Sequence, residues 1–327
     1  MTISKHLPLF LLLYLIPLTV FANYNERADV QQFIAQMAEK HGFDRQKLLD
    51  LFSRVEKKDW VLKAIARPAE KTKTWAQYRS IFITDKRIDK GGEFMRRHRD
   101  TLARAEQMYG VPAEIITAII GVETFYGQRS GKTRVLDSLV TLGFDYPPRS
   151  HFFLSELEQF LLLARDEKIN AGEILGSYAG AMGMPQFISS SYRNYSIDFD
   201  GDGKRDLWNN PADVIGSVAN YFSTHGWSKG EPVASLASVT TPDCIDNIDI
   251  LKPHTSIGEF KHKGVTQQQS LDDDEMATLF RFDGENGDEY WLGLNNFYVI
   301  TRYNHSALYA MAVYQLSREI LRKQADN

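Results

Sequence analysis

Val111-Pro-Ala-Glu-Ile-Ile-Thr-Ala-Ile-Ile-Gly-Val-Glu123 carries four isoleucines and, before its last residue, a single charge, an unusually apolar run for this chain. Pro112 sits where a first-turn proline is tolerated, so the run predicts a helix ending near Glu123. On that helix Glu123 shares a stripe with Ile116, Ile119 and Ile120. The isoleucines should face a core, which puts the carboxylate at the buried end of their face. Removal from water penalises the charged form of a carboxylate. A carboxyl group that keeps its proton near neutral pH is what a general acid requires. The plainer alternative is a helix-terminal glutamate that reaches solvent or pairs with Arg129 or Lys132. Gly127 and Gly131 close the helix nearby, and Phe125 and Tyr126 place aromatic surface beside the acid.

Upstream, Lys86 to Met108 has the pattern of a long, charged amphipathic helix, and residues 25–65 read as short amphipathic helices. A further helical stretch after Pro68 has Trp75, Tyr78 and Ile81 as its apolar positions. Downstream, Phe152 to Leu163 and Asp213 to His225 are helical, and Ser306 to Arg322 closes the chain as a helix. From about Gly230 to Asn295 the helical period weakens. Short β-rich segments appear there at Pro232–Val239, Thr278–Phe282 and Tyr290–Leu294. The organisation expected is an N-terminal helical domain over 23–100 and a helical core over 101–229 and 296–327. A small β-containing insertion over 230–295 interrupts that core. The fold class is α+β, mainly α.

The first 22 residues differ in kind. Lys5 and His6 precede an uncharged run from Leu7 to Phe21, and Val20-Phe21-Ala22 offers small residues at a cleavage site. This pattern predicts a signal peptide cut near Ala22 and a soluble, periplasmic product. The run is shorter than the roughly 20 residues that span a bilayer, and it contains Pro8 and Pro17. No cysteine follows it, so a lipid anchor is not expected. Cys244 is the single cysteine, which rules out an intramolecular disulfide. A net charge of −4 gives no support to nucleic-acid binding.

Asp198-Phe-Asp200-Gly-Asp202-Gly203-Lys204-Arg-Asp206 matches the first half of a calcium-binding EF-hand loop. Acids at positions 1, 3 and 5 supply hard oxygens, Gly203 permits the turn, and Lys204 offers its carbonyl. Asn209 stands where the usual closing glutamate would be. A structural Ca2+ is expected, with no organic cofactor. A solvated Asp/Gly turn, a sodium site or an empty one are the alternatives.

Two longer motifs accompany these features: Gly121-Val-Glu-Thr-Phe-Tyr-Gly127 and Ser177-Tyr-Ala-Gly-Ala-Met-Gly-Met-Pro-Gln-Phe187. With Asp198–Asp206, Gly216-Ser-Val-Ala-Asn-Tyr-Phe222 and Ile300-Thr-Arg-Tyr-Asn-His-Ser306, they resemble the lytic murein transglycosylase B family. The resemblance implies a lysozyme-like core. It implies cleavage of the β-1,4 bond from N-acetylmuramic acid to N-acetylglucosamine, with a 1,6-anhydromuramoyl product. Glu123 is then the lone catalytic carboxylate, acid first and base second. The family pattern also implies that Ser177, Gln186, Tyr221, Tyr303, Asn304 and Tyr309 line a saccharide groove, and that Asp213 closes the metal loop after Asp198, Asp200, Asp202 and Lys204. The small Gly180-Ala181 run should let backbone approach the glycan. Expected partners are peptidoglycan strands and other wall-remodelling enzymes. A hydrolytic muramidase, or a silent peptidoglycan-binding scaffold, would share much of this sequence.

Overall fold

The computed structural model describes residues 23–67, 72–240 and 248–326. The expected signal peptide, Pro68 and Cys244 lie outside these residues. Contacts divide the chain at Val55 and Glu56 into two compact units. In the smaller unit, α1 (Ala28–His41) and α2 (Arg45–Phe52) pack together, with Phe33 and Phe52 rings 6.1 Å apart. Helix α1 buries Val30, Phe33, Ile34 and Met37, the four positions its period marks out. Gly42, at φ 68°, ends it in the left-handed conformation that glycine adopts without strain.

The larger unit begins with α3 (Asp59–Ile65), α4 (Trp75–Phe82), α5 (Asp85–Arg97) and α6 (Arg99–Tyr109). The expected boundary near residue 100 is not where the division falls. Helix α3 packs on a later helix, α8 (Val135–Asp145), and α5 and α6 pack on α7 (Ala113–Thr124). Thr74 and Gln77 form a reciprocal capping box at the start of α4, and Thr84 caps α5. The long helix expected over 86–108 is broken at His98, whose backbone (φ −111°, ψ 23°) leaves the helical region.

Helix α7 is the centre. From Ile115 to Val122 no side chain is more than 8% exposed, so burial is not confined to one stripe. Helices α5, α6, α11 (Pro211–Thr224) and α14 (Ala307–Ala325) all pack against it. Pro112 is its N-cap rather than a first-turn residue. Strand β1 (Thr133–Arg134) pairs with β2 (Leu175–Gly176), bringing the chain after α7 against the chain after α9 (Ser150–Asp166). Helix α10 (Ser189–Tyr195) packs on α9.

The insertion is a sheet of β3 (Ala234–Val239), β4 (Thr255–Ser256), β5 (Val265–Gln267), β6 (Met276–Gly284) and β7 (Gly287–Gly293), in the order β4-β6-β7-β3-β5. Every ladder is antiparallel. All three expected β segments fall within or beside these strands. Between β4 and β5, α12 (Ile257–His262) buries Ile257 and Phe260 with Leu279 and Leu292 of the sheet. Phe280 and Phe282 reach the other way, to Phe297 of α13 (Asn295–Tyr303) and to Trp75 of α4.

Gly121 shows how tightly α7 is held. A β-carbon there would stand 2.6 Å from the Tyr126 hydroxyl and 2.7 Å from its ring. Tyr126 cannot easily move, because its hydroxyl donates to the Arg87 carbonyl at 2.9 Å. The Arg87 side chain returns a hydrogen bond from Nε to the Gly121 carbonyl at 3.1 Å. Gly121→Ala is therefore expected to cost about 1–3 kcal/mol of stability through overpacking. Chemical denaturation of parent and variant measures it.

Candidate active site

Glu123 lies in the last turn of α7 and is half-buried, while Val122 and Thr124 on either side are buried. The helix then stops abruptly. Phe125 and Tyr126 both take positive φ (53° and 59°) before Gly127 at 85°. Such angles are strained for bulky residues, of the order of 1–3 kcal/mol each. Side-chain contacts hold them there: Arg87 and Arg129 each stand 5.2 Å from the Phe125 ring.

Across from Glu123 is the first turn of α14. Ser306 caps that helix, accepting from the Tyr309 amide at 3.3 Å, and the Tyr309 phenol donates to Glu123 Oε1 at 2.5 Å. The Tyr309 and Tyr303 rings are stacked, 6.4 Å apart and 11° from parallel. Burial, reinforced by the Glu123 charge, pushes both phenols well above their ordinary range. Both are therefore neutral donors. The Tyr303 hydroxyl donates to the Pro185 carbonyl at 2.5 Å. Tyr221 is buried, donates to the Arg302 carbonyl at 2.7 Å and sits edge-on to Tyr303 at 4.9 Å. It braces Tyr303 from behind. His305 is exposed, and partial burial, followed by the charges of Arg302 and Arg149, holds its ring below the usual histidine range.

The Ser177–Phe187 segment forms a second wall. Ser177 turns its hydroxyl inward, accepting from the amides of Ala181 at 3.0 Å and Ala179 at 3.3 Å. Gln186 is left-handed (φ 51°), and its amide nitrogen donates to the carbonyls of Gly183 (2.9 Å) and Ser130 (3.2 Å). Gly180 is buried, and a β-carbon on it would meet Leu139 at 2.6 Å. Its smallness serves packing against α8. Asn304 follows α13 directly and lines a cleft of about 650 Å3 that also takes in Tyr146, Arg149, Tyr178, Ile65 and Ala66.

The acidic loop brings Asp198, Asp200 and Asp202 together, one oxygen from each lying within 4.8 Å of the others. Amides of Gly201, Asp202 and Gly203 orient Asp198. Asp213 is outside this cluster. It is fully buried, and its oxygens accept the Phe199 and Asp206 amides, each at 2.8 Å. Burial raises its carboxyl above the ordinary range, the two amides oppose that, and Asp200 and Asp198 add to it. Three hard, converging carboxylates fit a calcium ion in chemistry, and Asp213 acts as the brace that closes the loop around them.

A transglycosylase SLT domain matches residues 25–318. The chain belongs to the SLT transglycosylase family. Over 309 residues it is 47% identical to the membrane-bound lytic murein transglycosylase B of Escherichia coli K12, covering 92% of this chain and 84% of that protein. The structure of the catenated lytic transglycosylase SltB1 from Pseudomonas aeruginosa superposes with a TM-score of 0.87 at 52% identity, covering 92% and 99% of the two chains. The E. coli lytic transglycosylase Slt35, solved in complex with calcium, gives 0.84 at 48% identity over 90% and 93%.

In this SLT transglycosylase, Glu123, Tyr303 and Tyr309 come together, with Asn304 at the edge of the adjoining cleft. Ser177 and Gln186 shape the second wall, and Tyr221 stands behind. Sequence reading missed Thr124. Its hydroxyl donates to the Met184 carbonyl at 2.8 Å and accepts the Gly127 amide at 3.0 Å. Met184 in turn donates its amide to the Leu207 carbonyl at 2.8 Å, at the exit of the acidic loop. The turn after Glu123, the second wall and the loop are thus joined in one hydrogen-bonded path. A threonine beside the acid gave no signal, since helical threonines usually bond their own turn. Thr124→Val keeps the shape and strands the Met184 carbonyl, for an expected loss of about 1–3 kcal/mol. Urea titration of the variant tests it.

Proposed function

We propose that this chain is an exported lytic murein transglycosylase in which Glu123 is the proton donor and acceptor. The single observation that carries this is the half-buried Glu123 carboxyl at the end of a buried helix, held by the Tyr309 phenol. Family membership supplies the reaction class, peptidoglycan cleavage. Cleavage starts when the protonated Glu123 gives its proton to the oxygen bridging N-acetylmuramic acid and N-acetylglucosamine. As that bond breaks, positive charge grows on the muramic C1. Glu123, now carboxylate, takes the proton of the same sugar's C6 hydroxyl, and O6 closes on C1 to form the 1,6-anhydro ring. The acid ends as it began, protonated, and no water is consumed. This differs from glycosidases that use a pair of carboxylates.

Tyr309 fixes Glu123 throughout, because a phenol kept neutral by burial donates without competing for the proton. Asp137, the nearest acid in the following helix, is committed elsewhere. Both its oxygens bond Arg134, at 2.8 and 2.9 Å, and one accepts the Glu56 amide. Gln186, Tyr303 and Asn304 contact the glycan strand in this reading, with Ser177 holding the turn of the second wall and Tyr221 supporting Tyr303. Export to the periplasm rests on the leader pattern at residues 1–22 and on the cell-wall substrate of the family. Among the described residues no helix is long and apolar enough to cross a membrane.

Glu123→Gln retains size and loses the transferable proton. Turnover of purified sacculi is expected to fall by at least about a hundredfold, with the melting temperature unchanged. Mass spectrometry of the parent's products should show anhydromuramoyl ends. Reducing ends would mean that water is the nucleophile, and near-normal turnover by the variant would remove Glu123 from the chemistry.

In this reading Asp198, Asp200 and Asp202 would hold a calcium ion with the Lys204 carbonyl, and the ion would supply rigidity to the loop before α11. Calcium at about a hundredfold over its Kd should add about 2.7 kcal/mol of stability by mass action. Asp200→Asn should abolish that gain. Asp213→Asn should lower stability even in chelator, because an amide cannot accept equally through both ends. Thermal melts with and without calcium separate the two roles.

A further inference from the structure

Against Tyr178 of the cleft beside Asn304 packs an aromatic residue that the reaction does not use. Trp60, in the first turn of α3, is 50% exposed, and of the five tryptophans it alone stands clearly in solvent. Leaving half an indole in water forfeits burial that Trp75 and Trp227, at 1% and 9% exposed, obtain in the same fold. Its ring is edge-on to Tyr178, with centroids 6.4 Å apart and planes 60° apart. Tyr178 lines the cleft, and so do Ile65 and Ala66 at the end of the helix that carries Trp60. Ile65 lies five positions beyond Trp60, about 7.5 Å along the axis. The cleft's volume, about 650 Å3, lies in the range of sites that enclose small ligands.

The cleft neighbours the site along the chain: Asn304 and Ser306 line it, Tyr303 precedes Asn304 and stacks on Tyr309, and Tyr309, whose helix Ser306 caps, holds Glu123. An extended saccharide with one bond at Glu123 has its neighbouring rings along this path. Pyranose rings present C–H faces, and an exposed indole presents the flat apolar surface that packs on them.

We infer that Trp60, backed by Tyr178, is a platform for a sugar ring of the glycan strand, remote from the bond that breaks. This rests on the transglycosylase reading above. Trp60 is a positioning residue: it touches the strand and not the reacting atoms, so it acts on binding of long strands and not on the chemical step.

Trp60→Ala is expected to raise KM for long glycan strands about three- to tenfold, the equivalent of one aromatic contact, with kcat and melting temperature kept. Trp60→Phe should restore most of the loss. Met108→Ala, which truncates an apolar side chain 61% exposed in α6, should change neither constant. A parallel arm measures binding of size-graded chito-oligosaccharides to Glu123→Gln with and without Trp60→Ala. Weaker binding of the longer oligomers in the double variant supports the platform. Unchanged KM and unchanged binding overturn it, as does a fall in kcat at saturation. If the parent releases no fragments from sacculi, the reading of the reaction fails instead, and the binding arm alone decides for or against Trp60.

Discussion

The enclosure of α7 from Ile115 to Val122 is the constraint on which the site depends. A helix buried on every side cannot rotate or slide without opening a void, and close-packed interiors penalise such voids heavily. The last turn of this helix therefore has a fixed position relative to α14, and so do the two groups that meet there, Glu123 and the Tyr309 phenol. Arg87 strengthens that anchorage by bonding carbonyls of both α4 and α7 with one guanidinium. Cations at helix C-termini are favoured by the partial negative charge there.

Immediately past Glu123 the backbone is strained, and the strain has a use. Two consecutive aromatic residues in the left-handed region end α7 directly after Thr124, one residue beyond the carboxyl group. The compensation is spread over contacts on the opposite side, where Tyr126 bonds the Arg87 backbone and arginines face the Phe125 ring. Gln186, also left-handed, does the same for the second wall, holding Gly183 and Ser130 with its amide. Thr124 and Met184 tie the two strained turns together and continue to Leu207. The acidic loop, distant in sequence, thus shares a hydrogen-bonded framework with the turn that follows Glu123.

Much of this was legible in the chain. The apolar run to Glu123, the β segments after residue 230, the acidic loop and the terminal helix all have periodic or compositional signals that local physics imposes. What periodicity could not show was rotation and partnership. The family resemblance, not periodicity, set Tyr221 and Ser177 among groove-lining groups; in the fold Tyr221 packs edge-on to Tyr303, and the Ser177 hydroxyl accepts amides of its own segment. Periodicity made the 86–108 stretch one helix, where the chain breaks at His98.

The sequence alone determined which side chains could act as acid, hard-oxygen ligand or aromatic surface, since those are properties of residue types and of spacing within one element. It also marked out the main helical and strand segments, because their periods of 3.6 and 2 are written locally, but not the break at His98. The tertiary fold decided which of those groups meet. Tyr309 reaches Glu123 across 186 residues of sequence separation, and Asp213 points inward at two amides instead of joining Asp198, Asp200 and Asp202. Long-range pairing depends on how buried surfaces stack, and no single element carries that information.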